Sequence, residues 1–146
     1  MQLTYSLVAL VSSALCLKEV VIDTPKTFES TAKKTVVETG GCDTYLFYMG
    51  NINATSGISW CPDTAKALPL VTKYLNKIQD STIIKVMVGN RTEWKSPYNH
   101  YKYHPWANLT AIPTLVRFYE EGPEFESLVE GDCYDETKLK KYLGVD

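Results

Sequence analysis

The sequence predicts a single α/β domain built around a mixed β-sheet. Two observations lead to this prediction. Apolar, strand-like runs alternate with segments of helical period, and the last two strand-like runs are joined by a short turn. The alternation favours a partly parallel sheet with helices on both faces, and the short turn favours a hairpin at one side. With 146 residues the chain is long enough for one domain with a real core and too short for two ordinary ones.

The first half of the chain predicts a strand, a helix and a second strand. KEVVI at residues 18–22 is the first strand, and the helix after it begins at Thr24 and Pro25 and ends at Gly40. The apolar residues at helical spacing are Phe28, Ala32 and Val36. TYLFYM at residues 44–49 is apolar throughout and lies between glycines, as expected of a central buried strand.

The second half begins with a long helix over residues 62–80, in which Pro69 is expected to cause a kink. Its predicted core face consists of Ala65, Leu68, Val71, Leu75 and Ile78. The further elements are a strand at 82–88, a short helix opened by Ser96 and Pro97, strands at 114–120 and 126–130, and a closing helix capped by Asp135. The order β-α-β-α-β-α-β-β-α is typical of a thioredoxin-like, three-layer α/β/α fold with a five-stranded mixed sheet.

Residues 1–17 have the pattern of a secretory signal peptide, which would leave residues 18–146 as the domain. The stretch MQLTYSLVALVSSALC has no charged side chain, a short apolar run at 7–11, and small residues Ala14 and Cys16 at the usual cleavage positions. The apolar run is too short to span a bilayer unaided, so no stable membrane anchor is expected. The alternative is an ordinary amphipathic element at the start of a cytosolic domain.

Three Asn-x-Ser/Thr triplets support the secretory interpretation: Asn53 in NAT, Asn90 in NRT and Asn108 in NLT. Each is a possible N-glycosylation site, although such triplets also arise by chance. The net charge of −2 and a pI near 5.7 give no reason to expect a nucleic-acid partner. We therefore expect a secreted glycoprotein or a protein of the secretory pathway.

The stretch SWCPDT at residues 59–64 begins like a redox-active Cys-x-x-Cys motif, but Thr64 occupies the position of the second cysteine. Cys61 lies just before the helix that begins at Pro62. The unpaired N–H groups and the positive dipole end of that helix stabilise a thiolate at this position. Asp63 opposes this by like-charge repulsion, although it can also cap the helix. Trp60 is either a core residue or a partly exposed indole that contacts substrate.

The stretch TAIPT at residues 110–114 precedes the fourth strand, and its Ile112–Pro113 bond is a candidate cis peptide. In that conformation it would present a backbone edge beside Cys61 with which a substrate chain could pair. The alternative is an ordinary proline at the start of a strand.

Together, four stretches resemble the thioredoxin domain-containing protein 17 family over roughly residues 20–146. They are SWCPD, VGNRTEWKSPYN, TAIPTL and LVEGDC. The resemblance implies a five-stranded thioredoxin fold and a protein-disulfide reductase activity that runs through a Trp-Cys-Pro-Asp-Cys site. It also suggests the cytoplasm as the alternative location.

By this resemblance, Cys61 matches the cysteine that attacks a target disulfide, and Pro113 matches the cis-proline. Trp60, Pro62, Asp63 and Ile112 match residues that flank the substrate groove. The resolving cysteine is replaced by Thr64, which can donate a hydrogen bond to the sulfur but cannot form a disulfide. The implied partners are disulfide-containing proteins or small disulfides. Release from Cys61 then needs an external thiol such as glutathione, or thioredoxin reductase as electron donor.

Two other cysteines have weaker claims to a role. By the resemblance, Cys133 lies at an edge of the substrate groove and could resolve a mixed disulfide, but a semi-buried structural cysteine is the simpler interpretation. Cys42 precedes the central strand and should lie at the opposite sheet end from Cys61, as a structural or free thiol.

No cofactor and no metal are expected. His100 and His104 have helical spacing but lack a third ligand, so YNHYKYHPW is more simply a packed or interaction surface. A glutathione-ligated iron–sulfur cluster, as bound by monothiol glutaredoxins, is a weaker alternative because the sequence has no motif of the Cys-Gly-Phe-Ser type. The alternative function is an inactive binding or scaffold protein that keeps the groove, an interpretation that a glycan on Asn108 near Pro113 would favour.

Overall fold

A computed structural model describes residues 17–40 and 42–146, so the leader predicted at 1–17 lies almost wholly outside the described residues. The strands are β1 Lys18–Ile22, β2 Thr44–Met49, β3 Thr82–Met87, β4 Thr114–Tyr119, β5 Gly122–Pro123 and β6 Leu128–Val129. The helices are α1 Phe28–Glu38, α2 Pro62–Leu75, α3 Arg91–Lys95, α4 His100–Tyr103 and α5 Glu136–Leu143. Short 3₁₀ turns at Pro25–Thr27 and Glu130–Tyr134 precede α1 and α5.

The sheet has the order β1-β3-β2-β4-β5, and β6 also pairs with β4. β1, β3 and β2 are parallel, whereas β4 runs antiparallel to β2 and to both short strands. All six residues of β2 are buried, as expected of a strand with neighbours on both sides. The sheet is therefore mixed, with its parallel part and its hairpin where the sequence predicts them.

Two apolar clusters cover the opposite faces of the sheet, which gives three layers. One packs α1 and the segment around Tyr101 against the inward side chains of β2, β3 and β4, and it includes Phe28, Leu46 and Val116. The other packs α2 and α5 against the other face, and it includes Val71 and Leu139. Because both clusters are apolar and continuous, the sheet is a rigid platform for the loops at its ends.

The sheet has six strands rather than the predicted five. The predicted strand at 126–130 is shorter than expected, and an additional strand, β5, precedes it. β5 pairs with Phe118–Tyr119 and β6 with Thr114–Leu115, so each occupies a different part of β4.

The predicted core face of α2 is confirmed at Val71 and Leu75 and is wrong at its other positions. Ile78 lies beyond the end of the helix at Leu75 and is only half-buried. The buried side chains are Thr64, Ala67, Val71, Tyr74 and Leu75, whereas Ala65 and Leu68 are half-buried. The apolar pattern misleads because a polar residue, Thr64, lies on the buried side. The helix continues through Pro69, whose side chain is exposed.

The short helix predicted to open at Ser96 and Pro97 begins later, after Asn99, whose side chain accepts a hydrogen bond from the Tyr101 N–H (3.0 Å). The helix α3 precedes it and was not predicted. Its signal is a capping box, in which Asn90 accepts from the Glu93 N–H and Glu93 accepts from the Asn90 N–H. In the described part of the chain, no helix has the length and apolar character needed to span a bilayer.

Candidate functional site

Cys61 lies at the start of α2, where the chain returns from the loop that follows β2. Its carbonyl accepts the first hydrogen bond of the helix, from the Ala65 N–H (3.0 Å). The residue is 6% exposed and belongs to the apolar cluster that packs against α1. The thiol therefore has the helix-end position expected from the sequence, and access to it is narrow.

Gly50, directly after β2, lies against this cysteine. A β-carbon at position 50 would be 2.9 Å from Cys61 Cβ and 2.9 Å from Trp60 Cε2, so no side chain fits there. The Ser59 hydroxyl donates to the Gly50 carbonyl (2.8 Å) and accepts from the Cys61 N–H (3.2 Å). The end of β2 and the start of α2 are therefore joined by direct packing and by one serine.

Thr64 is fully buried one helical turn after Cys61. Its Oγ1 accepts a hydrogen bond from the Gly50 N–H (3.3 Å). The hydrogen bond that Thr64 could donate to the Cys61 sulfur is not formed in the described structure, where the hydroxyl lies against the end of β2. Thr64 therefore contributes to the packing beneath Cys61 and satisfies a buried backbone donor.

Trp60 is half-buried, and its indole N–H donates to the carbonyl of Gly89 in the loop after β3 (2.9 Å). The same carbonyl accepts from the Asn51 N–H (3.2 Å), and the Asn51 side chain accepts from the Gly89 N–H (2.8 Å). The guanidinium carbon of Arg91 lies 5.0 Å from the Trp60 ring centroid. Hydrogen bonds and a cation–π contact thus fix the indole beside Cys61.

Pro62 is exposed and Asp63 is half-buried at the first turn of α2. The Tyr134 hydroxyl donates to Asp63 Oδ1 (2.8 Å). This hydrogen bond to a carboxylate raises the pKa of Tyr134, and the nearby Asp63, Glu130 and Cys61 charges act in the same direction. Tyr134 therefore stays protonated and holds Asp63, the carboxylate nearest in sequence to Cys61.

The Ile112–Pro113 peptide bond is cis. Ile112 is buried in the same apolar cluster as Cys61, and Pro113 is also buried. The Pro113 carbonyl accepts a hydrogen bond from the Glu130 N–H (2.7 Å), so this oxygen is already used inside the fold.

Cys133 is fully buried in the apolar cluster on the α2 and α5 side of the sheet, whereas Cys61 belongs to the other cluster. Its Sγ lies 3.2 Å from the Leu128 carbonyl and 3.6 Å from the Pro113 carbonyl. Burial raises the pKa of the Cys133 thiol to about 12. The predicted place of this side chain in the groove is therefore not observed, because the 3₁₀ turn that carries it directs it into the core.

Cys42 is exposed just before β2, at the sheet end opposite Cys61. It lines a cavity of about 460 Å³ together with Lys18 and Asp80. Cys42, Cys61 and Cys133 all carry free thiols, and Cys16 lies outside the described residues.

His100 and His104 are adjacent, with ring centroids 5.2 Å apart. His104 is buried, its Nδ1 accepts from the Trp106 N–H (3.0 Å), and its Nε2 lies 2.6 Å from Glu29 Oε1. Partial burial and the neighbouring His104 lower the pKa of His100. In residues 17–40 and 42–146, no group of three or more His, Cys, Asp or Glu side chains is arranged to hold a metal.

The predicted glycosylation residues Asn53, Asn90 and Asn108 are all exposed. Asn53 and Asn90 line one cavity of about 470 Å³ beside Trp60. Asn108 lines another, of about 430 Å³, which also contacts Thr114 next to Pro113.

Three residues of the site carry no signal that the sequence alone would reveal. Gly50 is one glycine among eight in the chain. Arg91 and Tyr134 reach the site from segments 30 and 73 residues after Cys61 in the numbering. Their roles arise because the loops after β2 and β3 and the 3₁₀ turn Glu130–Tyr134 lie at the same end of the fold.

Comparison with known proteins identifies a matching family and related chains. The family model described as "Thioredoxin domain-containing protein 17-like, thioredoxin domain" matches residues 24–143. Thioredoxin domain-containing protein 17 from Homo sapiens is 31% identical over 114 residues, covering 77% of this chain and 87% of its own. The protein of the same name from Danio rerio is 33% identical over 102 residues, covering 69% of this chain and 77% of its own.

Solved structures give the same fold at lower sequence identity. Thioredoxin O1 from Arabidopsis thaliana superposes with a TM-score of 0.55 at 20% identity, covering 87% of this chain and 96% of its own. Spinach chloroplast thioredoxin f superposes with a TM-score of 0.56 at 14% identity, covering 99% of this chain and 97% of its own. The predicted thioredoxin-like α/β fold is therefore confirmed.

Proposed function

The chain belongs to the thioredoxin domain-containing protein 17-like family, and we propose that it is a thiol–disulfide oxidoreductase with a single nucleophile, Cys61. Family membership supports a thioredoxin-like redox role in general terms. The observation that carries the finer proposal is the position of Cys61 at the start of α2, with buried Thr64 where a resolving cysteine would be.

Neither of the other described thiols is suited to act as the resolving cysteine whose position Thr64 occupies. Cys133 is buried with a raised pKa, and Cys42 lies at the far end of the sheet. In the proposed reaction, the Cys61 thiolate attacks one sulfur of a disulfide RS–SR. The S–S bond of the substrate breaks, a Cys61–S–SR bond forms, and RS⁻ leaves and takes a proton from water. An external thiolate R′S⁻ then attacks the substrate-derived sulfur of the mixed disulfide. An R′S–SR bond forms, the bond to the Cys61 sulfur breaks, and the Cys61 thiolate is regenerated.

A disulfide-reduction assay tests this proposal, with glutathione or thioredoxin reductase as the electron donor. We expect the wild type to react through Cys61 and to accumulate mixed disulfides when the external thiol is scarce. The Cys61→Ser variant is expected to be inactive, whereas Cys42→Ser, which removes an exposed thiol elsewhere, should behave like the wild type. Equal activity of the wild type and Cys61→Ser would refute the redox proposal.

The second candidate is a binding or scaffold protein that keeps the groove without turnover. The 6% exposure of Cys61 favours it, because a nearly buried thiol meets few folded substrates. The Thr64→Cys variant separates the two candidates. If that variant alone reduces disulfides, the natural protein traps or binds its partners and does not release them.

We also propose that residues 1–17 direct the chain into the secretory pathway. Support comes from the residue pattern and from the exposure of Asn53, Asn90 and Asn108. N-terminal sequencing of the mature protein and a mobility shift on glycosidase treatment test this. An intact Met1 together with unmodified asparagines would instead support the cytoplasm.

A further inference from the structure

Arg91 is an exposed cation close to the nucleophile. Its guanidinium group stacks on Trp60, and its Nη2 lies 3.5 Å from the Trp60 carbonyl, which belongs to the peptide bond that links Trp60 to Cys61. Within the described residues, Arg91 makes no ion pair with any carboxylate. The charge is therefore held in place by the indole and the Trp60 carbonyl, while the other N–H groups of the guanidinium remain available.

The space in front of this cation is a cavity of about 470 Å³. Its lining residues are Asn51, Ile52, Asn53, Trp60, Asn90, Arg91 and Thr92. Arg91 is the one charged side chain among them, and the rest supply amide and hydroxyl groups, an indole face and one apolar side chain. A cavity with one cation and several neutral polar groups suits a carboxylate ligand.

Glu93, two residues after Arg91, and Asp63, two residues after Cys61, each have a partner of their own. Glu93 Oε1 accepts from the Asn90 N–H (2.8 Å) in the capping box of α3. Asp63 accepts from the Tyr134 hydroxyl. Neither of them neutralises Arg91, so an incoming carboxylate would not have to displace an internal partner.

We propose that Arg91 and this cavity form a carboxylate-binding subsite that selects disulfides with an anionic group close to the S–S bond. The subsite rests on the proposed function, since Cys61 supplies the attacking thiolate. A carboxylate on Arg91 would hold the disulfide beside Trp60 and bring one sulfur toward Cys61. Narrow access to Cys61 favours small or extended substrates of this kind over disulfides within folded domains.

Three small disulfides of similar length test the selectivity: 3,3′-dithiodipropionate (anionic), bis(2-hydroxyethyl) disulfide (neutral) and cystamine (cationic). The rate of adduct formation on Cys61 is followed by peptide-resolved mass spectrometry, so that reaction at other cysteines does not interfere. We expect Arg91→Gln to slow the anionic reagent about threefold to fivefold and to speed the cationic one by a similar factor. The neutral reagent should change by less than about twofold.

The matched control is Lys95→Gln, which removes an exposed charge from the same short helix without lining the cavity. It should leave the ratio of anionic to cationic rates within about twofold of wild type. The subsite proposal is overturned if Arg91→Gln leaves this ratio unchanged, or if Lys95→Gln alters it equally.

A binding measurement separates this proposal from the chemistry of Cys61. Suberate is the unreactive carbon analogue of dithiodipropionate, and 1,8-octanediol is its neutral counterpart. In the Cys61→Ser protein, suberate should shift the Trp60 indole N–H resonance, and the diol should not. Loss of that shift on adding Arg91→Gln supports the subsite even if Cys61 proves unreactive, whereas a shift that persists overturns it.

Discussion

The hydroxyl of Thr64 accepts a hydrogen bond from the backbone N–H of Gly50, and both groups are buried. This contact joins the first turn of α2 to the end of β2 at the position where a second redox cysteine would lie. A threonine there is therefore a structural component of the site.

Replacing Thr64 with valine should destabilise the protein. Valine keeps the shape but removes the acceptor, which leaves the Gly50 N–H buried without a partner, at a cost of about 1–3 kcal/mol in the free energy of unfolding. Thr64→Ser retains the hydroxyl and is the control. Chemical denaturation measures both variants, and a Thr64→Val protein as stable as Thr64→Ser would show that the contact contributes little.

Gly50→Ala should damage both stability and reactivity. The new methyl group would lie 2.9 Å from Cys61 Cβ and from the Trp60 ring, so one of them must move. We expect a loss of about 1–3 kcal/mol in the free energy of unfolding and a slower alkylation of Cys61.

Gly131→Ala is the matched control for Gly50→Ala, because a β-carbon there would meet its nearest atom at 3.9 Å. Thermal denaturation and iodoacetamide labelling compare the two variants. If Gly50→Ala is as stable and as reactive as Gly131→Ala, the packing of Gly50 against Cys61 is not a constraint.

Tyr134→Phe should make Cys61 a slower nucleophile. Without the tyrosine hydroxyl, the Asp63 carboxylate is no longer held and its negative charge opposes formation of the Cys61 thiolate. We expect the rate of Cys61 alkylation at pH 7 to fall about twofold to threefold. Tyr98→Phe, at a highly exposed tyrosine, serves as the control. An unchanged or higher rate in Tyr134→Phe would contradict this role of the hydroxyl.

The buried thiol of Cys133 should make stability depend on alkaline pH. Its pKa is raised from about 9 to about 12 in the folded state, so the folded protein binds this proton more tightly than the unfolded chain. The resulting stabilisation is fully present below pH 9 and is lost as the pH rises toward 12. The loss approaches at most about 1.4 kcal/mol per pH unit.

Denaturation curves of the wild type and Cys133→Ala between pH 8 and about 11 isolate this effect, since other titrating groups are shared by both. We expect a shallower decline in Cys133→Ala. Cys42→Ala removes an exposed thiol and should keep the wild-type slope. Identical slopes in all three proteins would indicate that Cys133 titrates normally.

The sequence was sufficient to predict the elements that have strong local signals. The wholly apolar run of β2 and the helix that begins at Pro62 lie where their patterns place them, and this order positions Cys61 at a helix start. Local patterns were insufficient to predict burial at positions where contacts between separate elements determine it. Thr64 is polar yet fully buried, with its hydroxyl accepting from the Gly50 N–H, so an apolar pattern does not identify it as part of the core face of α2.

Contacts between distant segments were also beyond local patterns. Tyr134 meets Asp63 across 71 positions of the chain, and no periodicity or motif encodes that pairing. For Cys133, the family resemblance suggested an edge of the groove and the simpler interpretation was a structural cysteine; the thiol is buried in the core, in agreement with the simpler interpretation.

The Gly89 carbonyl, which accepts hydrogen bonds from the Asn51 backbone and the Trp60 indole, has a consequence for motion. Both ends of the loop that leads to Cys61 are fastened to a single peptide unit after β3. The loop that leads to Cys61 therefore does not open independently, because these hydrogen bonds to the loop after β3 must break as well. Amide and indole hydrogens of the two loops should exchange with solvent as one cooperative unit.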